Sequence, residues 1–267
     1  MNHLEQIKKD SIKNLGSLLN REEIEDFISG ELWESEQILI DKYFSTDSKI
    51  LDIGCGLGRI ALFLSKKGNE VVGIDQTSEF IDIARKVGLS TNLNLGYRIG
   101  RATDINFGDN HFDFVIFANN ALGSIPGRGQ RILALKEIAR VLKPGGRLIL
   151  CVHRRYYFSK ASFFWAWKFF EYYVSRVFRL DVKEVDFGDI FLSKNKNGEK
   201  LKQKRFVHIL GKWEIEKAIK GAGLEIEYCE KMGKISKQDV VRERCFLSKG
   251  FNSGKSPVFY VCKKKEI

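Results

Sequence analysis

The stretch Ile50-Leu51-Asp52-Ile53-Gly54-Cys55-Gly56-Leu57-Gly58-Arg59 joins a short apolar run to a helical pattern through three glycines at two-residue spacing. A chain that leaves a strand edge and turns directly into a helix needs residues that tolerate positive φ, and a ligand can approach the backbone only where Cβ is absent. The helix expected next, over residues 59–67, turns unpaired N–H groups and a positive dipole end toward the same spot. A second apolar run, Glu70-Val71-Val72-Gly73-Ile74, ends in Asp75. That sets an acid at the tip of the neighbouring strand, about 20 residues on, where ribose hydroxyls are held. Together the two signals predict a nucleotide-type pocket.

Spacing separates two nucleotide families. A dinucleotide fingerprint reads G-x-G-x-x-G; here the third glycine comes one residue early, at Gly58, and Asp52 precedes the first glycine by two. The segment resembles motif I of the class I S-adenosylmethionine-dependent methyltransferases, an acid followed by x-G-x-G-x-G. The resemblance implies that Asp52 sits near the ligand's amino group, that the backbone at Gly54, Gly56 and Gly58 faces its methionine part, and that Asp75, with Gln76 beside it, holds the ribose.

The rest of the core conforms. Residues 107–120 form a turn cluster running into a buried strand, and Phe112-Asp113-Phe114-Val115 resembles the family's F-D-x-V fourth strand. Residues 131–142 carry apolar side chains at helical spacing, and Lys143-Pro144-Gly145-Gly146 is expected to stop that helix before a strand over 147–152. The run E-I-A-R-V-L-K-P-G-G-R-L, from Glu137 to Leu148, is similar to the ubiquinone-methyltransferase-like branch, methyltransferase type 11. Strands alternating with helices imply a parallel sheet covered on both faces. The family resemblance implies an α/β, Rossmann-like, seven-stranded and mostly parallel sheet of order 3-2-1-4-5-7-6 with strand 7 antiparallel; residues 224–229 and 257–262 fit strands six and seven.

One family position departs. Relatives often read G-D-A-x-x-L-P-F, whereas this chain has Gly100-Arg101-Ala102-Thr103-Asp104-Ile105-Asn106-Phe107. Either Asp104 takes over the hydrogen bond to the adenine amino group, or backbone N–H groups at Ala102 and Thr103 hold the base. By the same resemblance Asn119 lines the floor between cofactor and acceptor.

At 267 residues and 43% apolar composition the chain can bury a full core, as one α/β domain with additions. Four segments are expected: an N-terminal helical cap (1–48), the cofactor-binding core (49–152), an aromatic and basic insert as a lid over the acceptor (153–207), and the C-terminal completion of the sheet (208–267). Five scattered cysteines without a C-x-x-C pair point to neither zinc nor a disulfide framework, and no metal is expected. With no secretory leader and no run of 18 apolar residues, a soluble cytoplasmic protein is expected.

Residues 1–150 hold 19 Lys+Arg against 20 Asp+Glu, and residues 151–267 hold 26 against 14. This basic half favours acidic partners such as tRNA, phosphorylated metabolites or an anionic membrane surface, or is solvated lysine on loops. Residues 156–178 hold 12 of the 32 aromatic residues, and a helix apolar nearly all round must be buried, capped by another element, or dipped into a lipid interface. Three readings follow: an aromatic wall for a hydrophobic acceptor, packing on the N-terminal helices or a second copy, and peripheral membrane contact by Arg154, Arg155, Lys160 and the aromatic face. Upstream, residues 21–44 read as one or two helices broken near Gly30, with Trp33 packing in the core or touching ligand.

Methyl transfer from a sulfonium is an in-line displacement, so the chief task is holding an acceptor behind the methyl and excluding water. Oxygen and carbon acceptors often need a base near neutral pKa. His153, at the end of strand five, and His208, in Arg205-Phe206-Val207-His208, are the candidate general bases. Strand four ends in Ala118-Asn119-Asn120-Ala121 rather than the N-P-P-Y type of base-amine methyltransferases, and no Pro-Cys pair for cytosine appears. The sequence thus points to methylation of a small, hydrophobic or aromatic metabolite. A tRNA acceptor, prompted by the basic half, and a non-catalytic S-adenosylmethionine-binding module are the alternatives; oligomeric state is left open.

Overall fold

A computed structural model of the chain describes residues 31–91, 93–156, 162–180, 184–194, 200–237 and 257–266. Most of the expected N-terminal cap, Lys160, and residues 195–199 of the lysine-rich stretch lie outside the described residues. The first described helix, α1 (Glu34–Tyr43), leads into β1 (Lys49–Ile53), the glycine turn and α2 (Arg59–Lys66). Then follow β2 (Glu70–Asp75), α3 (Ser78–Leu89), β3 (Leu95–Ile99) and β4 (Phe112–Phe117). A short 3-10 turn (Ala121–Ser124) precedes α4 (Arg128–Val141) and β5 (Leu142–Val152).

These strands make the seven-stranded sheet the sequence implies. β1 lies between β2 and β4, parallel to both, with Asp52 opposite Gly73 on one side and Ile116 on the other. Four of its five residues are buried, as a central strand covered on both faces requires. Alternate residues feed two cores: Leu51, Ile53, Phe117 and Leu150 pack on one face, Ile50, Phe114, Ile116 and Ile149 on the other. The last strands are β8 (Leu224–Lys231) and β9 (Val258–Lys264), with β9 antiparallel between β5 and β8. The order β3-β2-β1-β4-β5-β9-β8 is the expected 3-2-1-4-5-7-6 once an additional pair of strands is set apart.

That pair was not read from the sequence. β6 (Asp189–Lys194) and β7 (Lys200–His208) form a separate antiparallel hairpin, Asp189 opposite His208. The lysines of this stretch stand on strands, where the sequence reads as loop. It follows α5 (Ser162–Val177), the aromatic helix, and precedes α6 (Lys212–Gly221), which packs on β8 and α4. A one-turn helix α7 (Met232–Ile235) follows β8.

A second difference concerns the Lys-Pro-Gly-Gly turn. α4 ends at Val141 and β5 begins at once, pairing Leu142 with Phe112 and Arg147 with Phe114. Residues 143–146 are therefore an excursion within the strand, where a Cβ on Gly146 would meet the Asp113 and Lys143 carbonyl oxygens at 2.8 Å. Among the described residues no helix is long and apolar enough to cross a membrane.

Candidate functional site

The glycine loop sits at the carboxyl end of β1, in the crevice where parallel sheets hold ligands. All three glycines have positive φ: 65° at Gly54, 56° at Gly56 and 88° at Gly58. They differ in what surrounds them. A Cβ on Gly58 would overlap the Tyr97 hydroxyl at 2.1 Å, and one on Gly54 would press on Ala121 Cβ at 3.0 Å. At Gly56 nothing stands within 4 Å of that position. Two of the glycines are thus dictated by packing, and the third leaves backbone open to a ligand.

Asp75 fixes the loop from the next strand. Its Oδ2 accepts the Gly56 N–H at 3.1 Å and its Oδ1 accepts the Thr77 N–H at 2.9 Å. Each carboxylate oxygen keeps a further lone pair for a hydroxyl donor. Asp52 lies under the loop, buried, with Oδ2 lacking a hydrogen-bond partner among the described residues. Burial pushes its carboxyl up to about 8, against the pull of the Arg59 guanidinium.

Arg59 is itself buried and forms a two-pronged pair with Glu36 of α1, at 2.6 and 3.0 Å. Glu36 also accepts the Trp33 N–H at 3.0 Å, and the Trp33 ring lies 5.9 Å from the guanidinium carbon. Trp33 packs against the core cluster under α1. The sequence reading missed the Arg59–Glu36 pair. Its signal was available: Arg59 opens a helix whose positive dipole end disfavours a cation, so its charge must be matched from elsewhere.

At the end of β4, Asn119 and Asn120 both adopt left-handed backbone, φ 51° and 56°, a costly pairing for residues other than glycine. The Asn120 amide oxygen accepts the His153 N–H at 2.8 Å, tying β4 to the end of β5. Asn119 Oδ1 is buried with no partner among the described residues. In the loop after β3, Ala102 packs on the core and Asp104 is exposed in a turn that bridges back to Arg101. Gln76 follows Asp75 directly into the turn before α3.

The two candidate bases sit in unlike places. Burial pushes the His153 imidazole down to about 4, so it is neutral at pH 7. His208 is fully buried, its Nδ1 2.6 Å from Asp189 Oδ1 and its Nε2 2.9 Å from Glu214 Oε1. Both ring nitrogens are thus engaged by carboxylates within the chain. Arg131 bonds Asp186 at 2.9 Å and Glu214 at 3.2 Å, and Arg155 bonds Glu214 at 3.0 Å. Arg131, Arg155 and His208 thus meet three carboxylates at the base of the hairpin. Arg155, read from the sequence as a surface cation for membrane contact, is buried in this cluster; Arg154 bonds the Tyr260 hydroxyl at 3.1 Å. Asp186, Asp189 and His208 bring ligand-type atoms within 4.8 Å of one another, and Arg131 bonds Asp186 in the same cluster.

Residues 50–146, from β1 to the excursion in β5, match the sequence model of a family described as a methyltransferase domain. Over that stretch the chain is similar to methyltransferase domains. A demethylmenaquinone methyltransferase of Symbiobacterium thermophilum is 32% identical over 163 residues, 57% of this chain and 62% of that one. The ubiquinone/menaquinone biosynthesis C-methyltransferase UbiE of Rickettsia prowazekii is 35% identical over 126 residues, 44% of this chain and 48% of that one. The chain thus spans about two fifths to three fifths of the length of the curated relatives it matches. Among solved structures, an S-adenosylmethionine-dependent methyltransferase of Methanosarcina mazei shares the fold at a TM-score of 0.64 and 24% identity, covering 89% of this chain and 100% of that one. The matched stretch carries the glycine loop, Asp75 and Asn119, whereas His153 and the hairpin lie beyond it.

S-adenosylmethionine fits the residues present. A cationic ligand suits the buried, unpartnered Asp52 oxygen, and a close approach to backbone suits the open space at Gly56.

Proposed function

We propose that the chain transfers a methyl group from S-adenosylmethionine to a small apolar or aromatic acceptor. The observation that carries this reading is the glycine loop: an open, left-handed Gly56, pinned by Asp75 above a buried Asp52 carboxyl whose Oδ2 has no hydrogen-bond partner among the described residues. Asp52 would face the amino end of the ligand, Asp75 its ribose, and Gly54, Gly56 and Gly58 the methionine part, with Gln76 and the backbone of Ala102 and Thr103 on the adenosine side. When bound, S-adenosylmethionine supplies an electrophilic methyl on a sulfonium. The protein's share is to position the acceptor and keep water out. His153, neutral and held at about 4, is a weak base at pH 7 and serves better as a dry wall beside Asn120.

A small aromatic acceptor is supported by the quinone-related names of the relatives and by the aromatic insert that follows β5. The basic half supports tRNA less than its charge implies, since Arg154, Arg155 and Arg147 are engaged within the chain. Calorimetric titration tests the donor site: S-adenosylmethionine should bind, and Gly56→Val and Asp75→Ala should each weaken it at least about tenfold, the effect of losing one charge-assisted hydrogen bond. Equal affinity in all three proteins would refute the site. Methyl transfer from labelled donor to a panel of demethylated quinols, phenols and bulk tRNA then separates the acceptors, with label in tRNA alone overturning the small-molecule reading.

A further inference from the structure

The aromatic helix α5 is packed on one side only. Trp165 is buried, and Lys168 and Tyr172 face the segment before β6, where Lys168 meets Glu184 at 3.1 Å and Tyr172 bonds the Val185 carbonyl. The opposite side carries Phe163, Trp167, Phe170 and Val177, between 60% and 91% exposed, with Phe169 and Tyr173, about half exposed, at its edge against Phe187. At 100° per residue these six and the intervening Ala166 and Val174 fill an arc of about 160° without one charged residue. Single exposed apolar residues are ordinary; a contiguous aromatic face marks an interaction surface.

We infer that this face inserts into the interfacial layer of an anionic lipid bilayer. A 16-residue helix is about 24 Å long and 10 Å wide, so the strip offers roughly 240 Å², far below the roughly 800 Å² per partner of a stable protein interface. Its composition, Trp, Tyr and Phe without a polar centre, is that of side chains settled at headgroup depth. Its charge is complementary to anionic lipid. The helix's own ions are Lys168 and Arg176 against Glu171, and Arg179 follows its end. Residues 151–267 as a whole carry 26 basic against 14 acidic residues.

The test is flotation of the full chain with phosphatidylcholine vesicles and with vesicles containing a third phosphatidylglycerol, with sedimentation velocity in parallel. The expected result is binding to the anionic vesicles, weakened at high salt. Trp167→Glu with Phe170→Glu, both surface changes, should lower partitioning about 100-fold or more, the loss of two inserted aromatic side chains. Leu89→Glu, an exposed apolar residue elsewhere, should leave it unchanged. Absence of vesicle binding overturns the inference. If the wild type is then a dimer that the double variant dissolves, the face joins two copies; if it is a monomer whose α5 amides gain exchange on removal of residues 1–30, those residues cover it. Binding that the double variant retains also overturns it.

Discussion

Two buried charged regions flank the 3-10 turn after β4, and they are built on opposite rules. Under the glycine loop, Asp52 keeps an oxygen without a partner and its carboxyl is raised to about 8 by burial. At the hairpin base, three carboxylates meet Arg131, Arg155 and His208, and Glu214 is held down to about 2. Burial alone would raise Glu214; the hydrogen bond and charge of His208, then Arg155, outweigh it. An unsatisfied buried acid marks a place waiting for a ligand, whereas a saturated cluster marks architecture. The lesson for reading sequences is that His208, a histidine in a suggestive position, belongs to the second kind.

The strongest way to break that contrast is Glu214→Ala, which strands Arg131, Arg155 and His208 together. The expected cost is about 3–5 kcal/mol in urea unfolding; a loss below about 1 kcal/mol would show the cluster is not structural. Next comes Gly58→Ala, with a left-handed backbone costing about 1–2 kcal/mol and an overlap with Tyr97 adding about 1–3. Gly56→Ala meets no neighbour and should incur only the backbone cost of about 1–2 kcal/mol, so equal destabilisation of the two would contradict the distinction between packed and open glycines.

The two acids also predict opposite pH slopes. Asp52, raised above its unfolded value of 3.8, binds an extra proton when folded, so its contribution weakens as pH rises from about 4 to about 8. Relative to wild type, Asp52→Asn should therefore gain stability across that window. Glu214, lowered from 4.5, contributes stability that is present above pH about 4.5 and lost as pH falls toward 2. Glu214→Gln should flatten that acid limb, and chemical unfolding at pH 3, 5, 7 and 9 reads both. Parallel slopes for the two variants would erase the comparison. The smallest effect belongs to the surface: Lys67→Ala, which breaks the exposed pair with Asp41, should cost under about 1 kcal/mol.

Much of the sheet was legible because its signals are local. Apolar runs such as 50–53 and 112–117 reveal strands, and glycines at 54, 56 and 58 reveal a turn that must reverse direction. The hairpin β6–β7 was not legible: its strands are rich in lysine and read as solvated loop. What holds it is Asp189 to His208 and the ion cluster, contacts formed with α4, α6 and the residues after β5. Nor could the sequence tell which glycine is open, since Tyr97 fills the space at Gly58 from a strand 39 residues away.

The sequence by itself determined the parallel sheet, the glycine loop and the acid beside it, because strand periodicity and positive-φ turns are written in consecutive residues; the strand order followed only from the family resemblance. Only the tertiary structure decided that Arg59 is neutralised by Glu36, that His208 is locked between carboxylates, and that α5 turns its aromatic side outward. Charge partners and exposure depend on which distant elements share a surface, and no local pattern encodes that.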